Sequence, residues 1–125
     1  VEDSGLFVDA LKGFPGTCTR YFHGRVGNRG ILKLMKGIKN RRCWYKSAIG
    51  FCEPGKEPLC FLGVEEGRIA FKEKGRRGWA QDPIFIPKDQ PEGQSKTYGE
   101  LRRYGDVNPF RRQAVNRLVS YLKRK

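Results

Sequence analysis

The sequence lacks several features that would assign it to common classes of protein. It has no apolar run close to the roughly 20 residues that span a bilayer, and its acidic start is unlike a signal peptide. It has one histidine, His23, and no two cysteines in C-x-x-C spacing, which argues against a zinc site. Its only methionine is Met35. We therefore expect the chain to be part of a longer protein that continues upstream of Val1.

Cysteine is too sparse, at four residues in 125, for a secreted disulfide scaffold. Cys52 and Cys60 flank a predicted turn at Gly55-Lys56 and would face each other if the turn were symmetric about it. We expect reduced, half-buried thiols, and a bridge between Cys52 and Cys60 is the alternative.

Acidic residues are scarce and unevenly distributed. The chain has 26 Lys and Arg against 13 Asp and Glu, a net charge of +13. No acid lies between Asp9 and Glu53, a stretch that holds ten basic residues, and none follows Asp106. Such a field attracts polyanions, whether nucleic acid or small phosphate esters, although solubility or thermal adaptation would also produce it.

The pattern of apolar residues predicts a single α/β domain over residues 1–125. Residues 43–52 and 59–64 are typical of strands and surround a turn, which predicts a hairpin. Helical spacing predicts one helix that begins at Asn28 and ends near Gly37, and another from Phe110 onward.

Shorter extended pieces are expected elsewhere. Residues 1–3 are interpreted as the end of a strand that delivers Asp3 and Ser4 to a loop. Residues 82–87 are extended, because two prolines fix φ there. Residues 97–101 are expected to be a brief extended piece.

The first group that could carry chemistry is Glu2-Asp3-Ser4-Gly5. In α/β sheets, ligands gather beyond the carboxyl ends of strands. A carboxylate there can bind Mg²⁺ and orient or deprotonate a water. Ser4 and the amides near Gly5 can donate to phosphate oxygens. A turn acid beside a capping serine is the simpler explanation of these four residues alone.

The second group lies around Trp79. An exposed indole beside the small Ala80 offers a face for a flat base, and Asp82 could accept from base N–H groups while Pro83 holds it in place. A core tryptophan and a turn aspartate would give the same residues.

The third group is basic. Guanidinium groups bind phosphate bidentately, so the pairs Arg76-Arg77 and Arg111-Arg112 are candidates for phosphate binding. A solvated charged surface is the competing explanation.

Taken in order, these segments resemble the inosine/xanthosine triphosphate pyrophosphatase family, and its archaeal members most. The series D-S-G-L, G-x-P-G, G-R-I and D-P-I-F is specific, and the similarity covers most of residues 1–101. The similar segments are residues 1–6, 9–16, 30–37, 45–51, 67–69, 78–79, 82–87 and 97–101.

The resemblance implies a fold and an activity. The fold is an elongated mixed β-sheet flanked by helices, in two lobes with a central nucleotide cleft, and its N-terminal part is absent from this chain. The activity is the Mg²⁺-dependent hydrolysis of ITP, dITP and XTP to the monophosphate and pyrophosphate. Members are usually cytoplasmic homodimers. The alternative is a basic nucleic-acid-binding module without catalysis, which would use Trp79, Trp44 and Tyr45.

The resemblance also implies roles for individual residues. Asp3 matches the metal-binding acid that activates water, and Glu2 beside it is a second candidate metal ligand. The candidate substrate-binding residues are Ser4, Trp79, Ala80, Gln81, Asp82, Arg111 and Arg112.

Three departures from the family pattern bear on activity. A Thr-x-Asn-x-x-Lys phosphate loop and a further metal-binding glutamate precede D-S-G in the family, and neither occurs in this sequence. In the base segment, Ala80 replaces a glycine and Gln81 replaces an aromatic residue. A lysine and Ser-His-Arg are expected near the end, and only Arg111 or Arg112 can match. We therefore expect weak or no turnover from this chain alone.

Overall fold

The computed structural model describes residues 1–102 and 108–124 as one sheet with three helices. None of the described helices combines the length and the apolar character needed to cross a membrane. The elements are β1 (Glu2–Val8), α1 (Thr19–Leu34), β2 (Arg42–Phe51), β3 (Leu59–Ile69), β4 (Phe85–Pro87), α2 (Tyr98–Leu101) and α3 (Pro109–Lys123), with short 3₁₀ turns at Asp9–Leu11, Gly16–Cys18 and Asp82–Ile84.

The four described strands lie in the order β1-β2-β3-β4, and every adjacent pair is antiparallel. The predicted α/β class, a sheet flanked by helices, is confirmed. The expectation of a mixed sheet needs correction for the described strands, because each strand runs back along its predecessor, whereas a parallel pair needs a crossover that restores the chain direction. The division into two lobes stays a prediction.

The hairpin predicted over residues 42–64 is confirmed, and its second strand is longer than expected. In its register Gly50 lies opposite Cys60, so Cys52 does not face Cys60. All four cysteines are free. The expectation of half-buried thiols was wrong, since Cys43 is buried and the other three are exposed. Burial in turn raises the pKa of the Cys43 thiol well above its usual range.

One face of the sheet carries the hydrophobic core. Alternate residues of β2 are buried, as the two-residue period of a strand requires. Tyr45 lies at the centre, with its ring 4.0 Å from that of Phe85 and 4.9 Å from that of Phe110, measured between centroids. Ile31 of α1 and Phe110 of α3 belong to the same buried cluster. Both helices therefore cover this face.

Helix α1 is broken at Gly27, whose φ of 63° and ψ of −165° are not helical. The break confirms the predicted new start beside Asn28. At the far end, the Arg41 guanidinium donates to the carbonyl oxygens of Met35 at 2.7 Å and Ala70 at 2.8 Å. It also donates to Ile38 and Ile69. Arg41 thereby ties the end of α1 to the end of β3.

Three local predictions need correction. Residues 82–87 are not extended throughout, because residues 82–84 form a 3₁₀ turn and only residues 85–87 form a strand, β4. Residues 1–3 do not end a strand. β1 begins at Glu2 and continues to Val8, because Leu6 and Val8 extend the alternation into the core. Residues 98–101 are helical rather than extended, because Thr97 and Glu100 form a reciprocal capping box at the start of α2.

Helix α3 approaches the sheet closely because β3 has a glycine at the contact. A Cβ on Gly63 would overlap the carbonyl oxygen of Phe110. On either side, Gln113 bonds the backbone of Val64 and Arg117 donates to the carbonyl of Leu62 at 2.6 Å. This close contact fixes the start of α3 beside β1 and β2, where the candidate site lies.

Candidate active site

A cleft of about 330 Å³ lies between the start of β1, the first turns of α1, the loop before β4 and the start of α3. This volume is within the range of pockets that bind small molecules. Asp3 and the segment 79–82 both line the cleft, although 75 residues lie between Asp3 and Trp79 in the sequence. The lining residues are Glu2, Asp3, Ser4, Gly5, Thr19, Arg20, His23, Tyr45, Trp79, Ala80, Gln81, Asp82, Asn108, Phe110 and Arg111.

Trp79 presents an exposed indole on a fixed backbone. Trp79 is 69% exposed, which excludes the alternative considered above that it is a core residue. Its backbone N–H donates to Oδ2 of Asp82 at 2.8 Å. The next residue, Ala80, has a φ of 41°, and its carbonyl oxygen accepts from Nδ2 of Asn28 at 2.8 Å. Since left-handed backbone favours glycine, this geometry explains the glycine of the family pattern at Ala80.

Asp82 is the buried anchor of this loop. One of its oxygens accepts from the hydroxyl of Tyr45 at 2.9 Å, and the other pairs with Nε of Arg102 at 3.5 Å. That distance indicates an ion pair rather than a well-formed hydrogen bond. Burial and the nearby Asp82 raise the pKa of Tyr45 well above its usual range, so its hydroxyl keeps the proton that it donates. Asp82 therefore holds the loop, and its direct contact with a base stays a prediction.

At the other end of the cleft, Arg111 joins α3 to β1. Its Nη2 donates to Oγ of Ser4 at 2.7 Å and its Nε to Oε2 of Glu2 at 3.1 Å. Ser47 donates to the same Glu2 oxygen at 2.6 Å. Burial alone would raise the pKa of Glu2, but the hydrogen bond from Ser47 and the charge of Arg111 outweigh it and hold this pKa below its ordinary value.

Asp3 differs from its neighbour Glu2. Successive side chains of a strand point to opposite faces, so the two side chains leave β1 on opposite sides. Asp3 is exposed, and no hydrogen bond or ion pair engages its carboxylate within the described part of the chain. It also borders a second depression beside Lys46. Of the two carboxylates, the one on Asp3 is free to take a ligand.

The described residues contain no cluster of three or more His, Cys, Asp or Glu side chains suited to hold a metal. Mg²⁺ does not require such a cluster, because it commonly binds one or two carboxylates together with substrate phosphates and water. A single free carboxylate at the cleft fits that mode. Oε2 of Glu2 already accepts from Arg111 and Ser47, so Asp3 has the less engaged carboxylate, and the pairing of Asp3 with Glu2 as metal ligands stays a prediction.

The structure sorts the remaining candidates. Arg111 lines the cleft, whereas Arg112 is exposed and does not. Arg76 and Arg77 are exposed and also lie outside the lining. Gln81 lines the cleft as a buried residue, and its Nε2 has no hydrogen-bond partner among residues 1–102 and 108–124.

Two supporting residues were not identified from the sequence. Thr19 accepts from the backbone N–H of Leu6 at 2.9 Å and donates to the carbonyl of Gly16 at 2.6 Å, which fixes β1 against the start of α1. Arg102 pairs with Asp82 from beyond α2. Thr19 is distant in sequence from Leu6, and Arg102 is distant from Asp82, so no local pattern indicated these two contacts. The T-x-x-E spacing of Thr97 and Glu100, which indicates a helix start at α2, was the one signal present in the sequence.

Comparison with known proteins agrees with these features. The model of the Ham1 family matches residues 1–121. A protein of Methanosarcina acetivorans named dITP/XTP pyrophosphatase is 45% identical over 125 residues, which are 97% of this chain and 63% of the relative. One of the same name from Methanothermobacter marburgensis is 52% identical over 101 residues, 81% of this chain and 52% of the relative. The chain thus spans between half and two thirds of these relatives.

Solved structures show the same fold. A HAM1 protein from Coxiella burnetii superposes with a TM-score of 0.83 at 26% identity, covering 100% of this chain and 66% of that one. The Staphylococcus aureus Ham1 protein gives a TM-score of 0.79 at 28% identity, covering 98% of this chain and 65% of that one. With the family model matched along nearly the whole sequence, the chain belongs to the Ham1 family.

Proposed function

We propose that this chain forms the nucleotide cleft of an enzyme that hydrolyses nonstandard purine nucleoside triphosphates, namely ITP, dITP and XTP, to the monophosphate and pyrophosphate. Its relatives carry the name dITP/XTP pyrophosphatase. The observation that carries the proposal is the shared cleft: an exposed indole at Trp79 lies at one end, and Asp3, Ser4 and Arg111 lie at the other.

Trp79 supplies the surface for the purine ring. Stacking on an indole is available to every base because each has a π-face. The hydrogen bond from the Trp79 N–H to Asp82 and that from Asn28 to Ala80 hold the loop before a ligand arrives. Binding therefore requires little ordering of the protein, which favours affinity.

Arg111 and Ser4 supply the phosphate contacts. The guanidinium is held in place by Ser4 and Glu2, and the Arg111 side chain remains 45% exposed. A planar guanidinium with an exposed edge can donate to two phosphate oxygens at once. The positive charge then offsets the charge that develops as the bond between the α-phosphorus and the bridging oxygen breaks.

Asp3 supplies the free carboxylate. It would hold Mg²⁺ together with phosphate oxygens, and it would orient the water that attacks the α-phosphorus. A bound Mg²⁺ supplies Lewis-acid neutralisation of phosphate charge. The water oxygen forms the new bond to phosphorus, its proton is released, and pyrophosphate leaves with the bridging oxygen.

Asp3→Asn tests this proposal. The substitution keeps the size of the side chain, removes its charge, and affects an exposed residue, so we expect the melting temperature to stay unchanged. Mg²⁺-dependent binding of dITP, measured by calorimetry, and pyrophosphate release from dITP should both fall at least tenfold. Asp89→Asn is the matched control, since Asp89 is exposed and lies outside the cleft. Unaltered Mg²⁺ dependence in Asp3→Asn would refute the assigned role.

Three further expectations remain predictions. Weak turnover by this chain alone is tested by phosphate release from ITP with Mg²⁺ and added inorganic pyrophosphatase, and turnover equal to that of an intact relative would contradict it. A homodimer is tested by light scattering during size-exclusion chromatography. A cytoplasmic location is tested by cell fractionation.

A further inference from the structure

Two adjoining depressions form a basic groove outside the cleft. They have volumes of about 620 and 630 Å³, and they share Arg41 and Phe71. None of the described residues that line them is acidic, and none also lines the nucleotide cleft. Besides Arg41, the basic residues of the groove are Arg29, Lys33, Lys36, Lys39, Arg42, Arg68, Lys72 and Lys74.

An exposed aromatic ring lies within this groove. Phe71 is 82% exposed, although the adjacent Ile69 and Ala70 are buried. The guanidinium of Arg41 lies 4.4 Å from the centroid of the Phe71 ring, and its hydrogen bonds to four carbonyl oxygens fix its position. A phenyl ring held in water contributes little to folding. Its place among cations therefore indicates a ligand that has both negative charge and an apolar surface.

The backbone under the groove is fixed. The N–H of Lys74 donates to the carbonyl of Pro83 at 2.9 Å, and the hydroxyl of Thr97 donates to the carbonyl of Lys74 at 2.6 Å. Arg77 is similarly tied to Gly99 at 2.9 Å. The exposed side chains of Lys72 and Lys74 thus project from an anchored segment, so a ligand would meet a preformed surface.

We propose that the basic groove is a second binding site that takes single-stranded nucleic acid. Its lysines would contact the backbone phosphates, and a base would stack on Phe71, the combination by which proteins bind single strands without sequence preference. Of the three aromatic residues first considered for such a role, Trp79 lines the cleft instead, and the other two are unsuited. Tyr45 is 6% exposed in the core, and Trp44 is half-buried with Arg42 over its ring.

Two other occupants fit less well. A second copy of the chain, related by a two-fold axis, would place this cationic surface against itself, which like-charge repulsion disfavours. An anionic lipid surface would satisfy the lysines but offers no flat partner to the Phe71 ring. A polynucleotide satisfies both the charges and the ring.

Fluorescence anisotropy with a labelled oligothymidine of about 16 nucleotides tests the proposal, without Mg²⁺ or nucleotide and at several salt concentrations. Lys72→Glu should weaken binding by about tenfold at low salt and flatten the salt dependence, because a phosphate contact is lost. Phe71→Ala should weaken binding by roughly 5- to 100-fold with an unchanged salt slope. Lys123→Glu has the same charge change in the last turn of α3, outside the groove, and should have less than about a twofold effect.

Several results would overturn the proposal. Equal losses for Lys72→Glu and Lys123→Glu, or no loss for Phe71→Ala, would show that only the overall charge attracts the strand. Phe71-dependent binding to phosphatidylserine vesicles without binding to oligothymidine would assign the groove to lipid. Conversion of a dimer to a monomer by Phe71→Ala, with oligothymidine binding intact, would assign it to a second copy. Binding of dITP to Lys72→Glu should be measured in parallel. Because Lys72 lies outside the cleft, unaltered dITP binding would show that a loss of oligothymidine binding arises in the groove and not in the cleft.

Discussion

The two ends of the proposed nucleotide cleft, which we call the base end and the phosphate end, are built differently. At the base end, a buried carboxylate at Asp82 orders the loop that carries Trp79, with Tyr45 and Arg102 behind it. At the phosphate end, Asp3 is exposed and without a partner among the described residues. The loop at the base end is therefore ordered before a ligand binds. At the phosphate end, the Asp3 carboxylate remains available to bind a ligand.

This contrast predicts that substitutions at the two ends affect different properties of the protein. Substitutions at the base end should destabilise the fold, because they break buried contacts. Substitutions at the phosphate end should change binding and turnover while the fold persists. Asp3→Asn, described above, tests the phosphate end. The variants below mainly test the base end and are given from the largest expected effect to the smallest.

Asp82→Ala should lower the free energy of unfolding by about 3–5 kcal/mol. It leaves the buried charge of Arg102 unpaired and removes the acceptor for the Tyr45 hydroxyl. Urea denaturation measures the change. Asp89→Ala, at an exposed position, should stay within about 0.5 kcal/mol of the parent. A loss below about 1 kcal/mol for Asp82→Ala would show that the base end is not held as described.

Gly78→Ala should destabilise the protein by two separable effects. Its φ of 78° costs a side chain about 1–2 kcal/mol, and the added Cβ would overlap the carboxylate of Asp82, which costs about 1–3 kcal/mol more. Gly93→Ala is the matched control, because Gly93 has a φ of 80° and no atom within 4 Å of an added Cβ. Equal destabilisation in the two variants, measured by urea denaturation, would refute the contact with Asp82.

Trp79→Ala should weaken dITP binding by about 1–3 kcal/mol through lost stacking. Because the residue is 69% exposed, the melting temperature should hardly change. Phe71→Ala removes a comparably exposed ring outside the cleft and should leave dITP affinity unaltered. Calorimetry and thermal unfolding distinguish the outcomes, and a large loss of melting temperature with normal affinity would show that the indole is structural.

Glu65→Gln should give the smallest effect, a change in the pH dependence of stability. Burial raises the pKa of Glu65 above its ordinary value of 4.5, despite the hydrogen bond from Tyr98. Between that value and the raised one, the folded protein binds more protons than the unfolded chain, so stability falls as pH rises. The lowered pKa of Glu2 gives the opposite sign, with stability lost as pH falls. Melting temperatures across this range should show a flatter fall in Glu65→Gln, and an unchanged slope would contradict the assignment.

Much of the fold was predictable from local patterns. The 42–64 hairpin, the break at Asn28 and the final helix follow from periodicity and from turn residues. The extent of β1 was not predictable from local patterns, because its pairing with β2 depends on residues far away in sequence. The mixed sheet was an implication of the family resemblance, and the antiparallel order of the described strands could not be derived from local sequence because it depends on how distant segments pair.

Several residues that line the candidate site were predictable from the sequence, and the contacts between them were less so. Asp3, Ser4, Trp79 and Arg111 were named from motifs, and the structure brings them to one cleft. The hydrogen bonds that Glu2 accepts from Ser47 and Arg111 were not predicted, because composition does not reveal them. The pairing of Asp82 with Arg102 likewise depends on the path of the chain through α2.

The strand order also bears on how the molecule assembles. β2, β3 and β4 follow one another through connections without a long helix, whereas β1 reaches β2 only after the chain has passed through α1. Closing a longer loop costs more entropy, so we expect the three later strands to associate first and β1 to dock last. In a partly folded chain, Tyr45 and Phe85 would then already be packed together while Asp3 and Ser4 had not yet reached the cleft. A chaperone that binds this intermediate would encounter β1 unpaired.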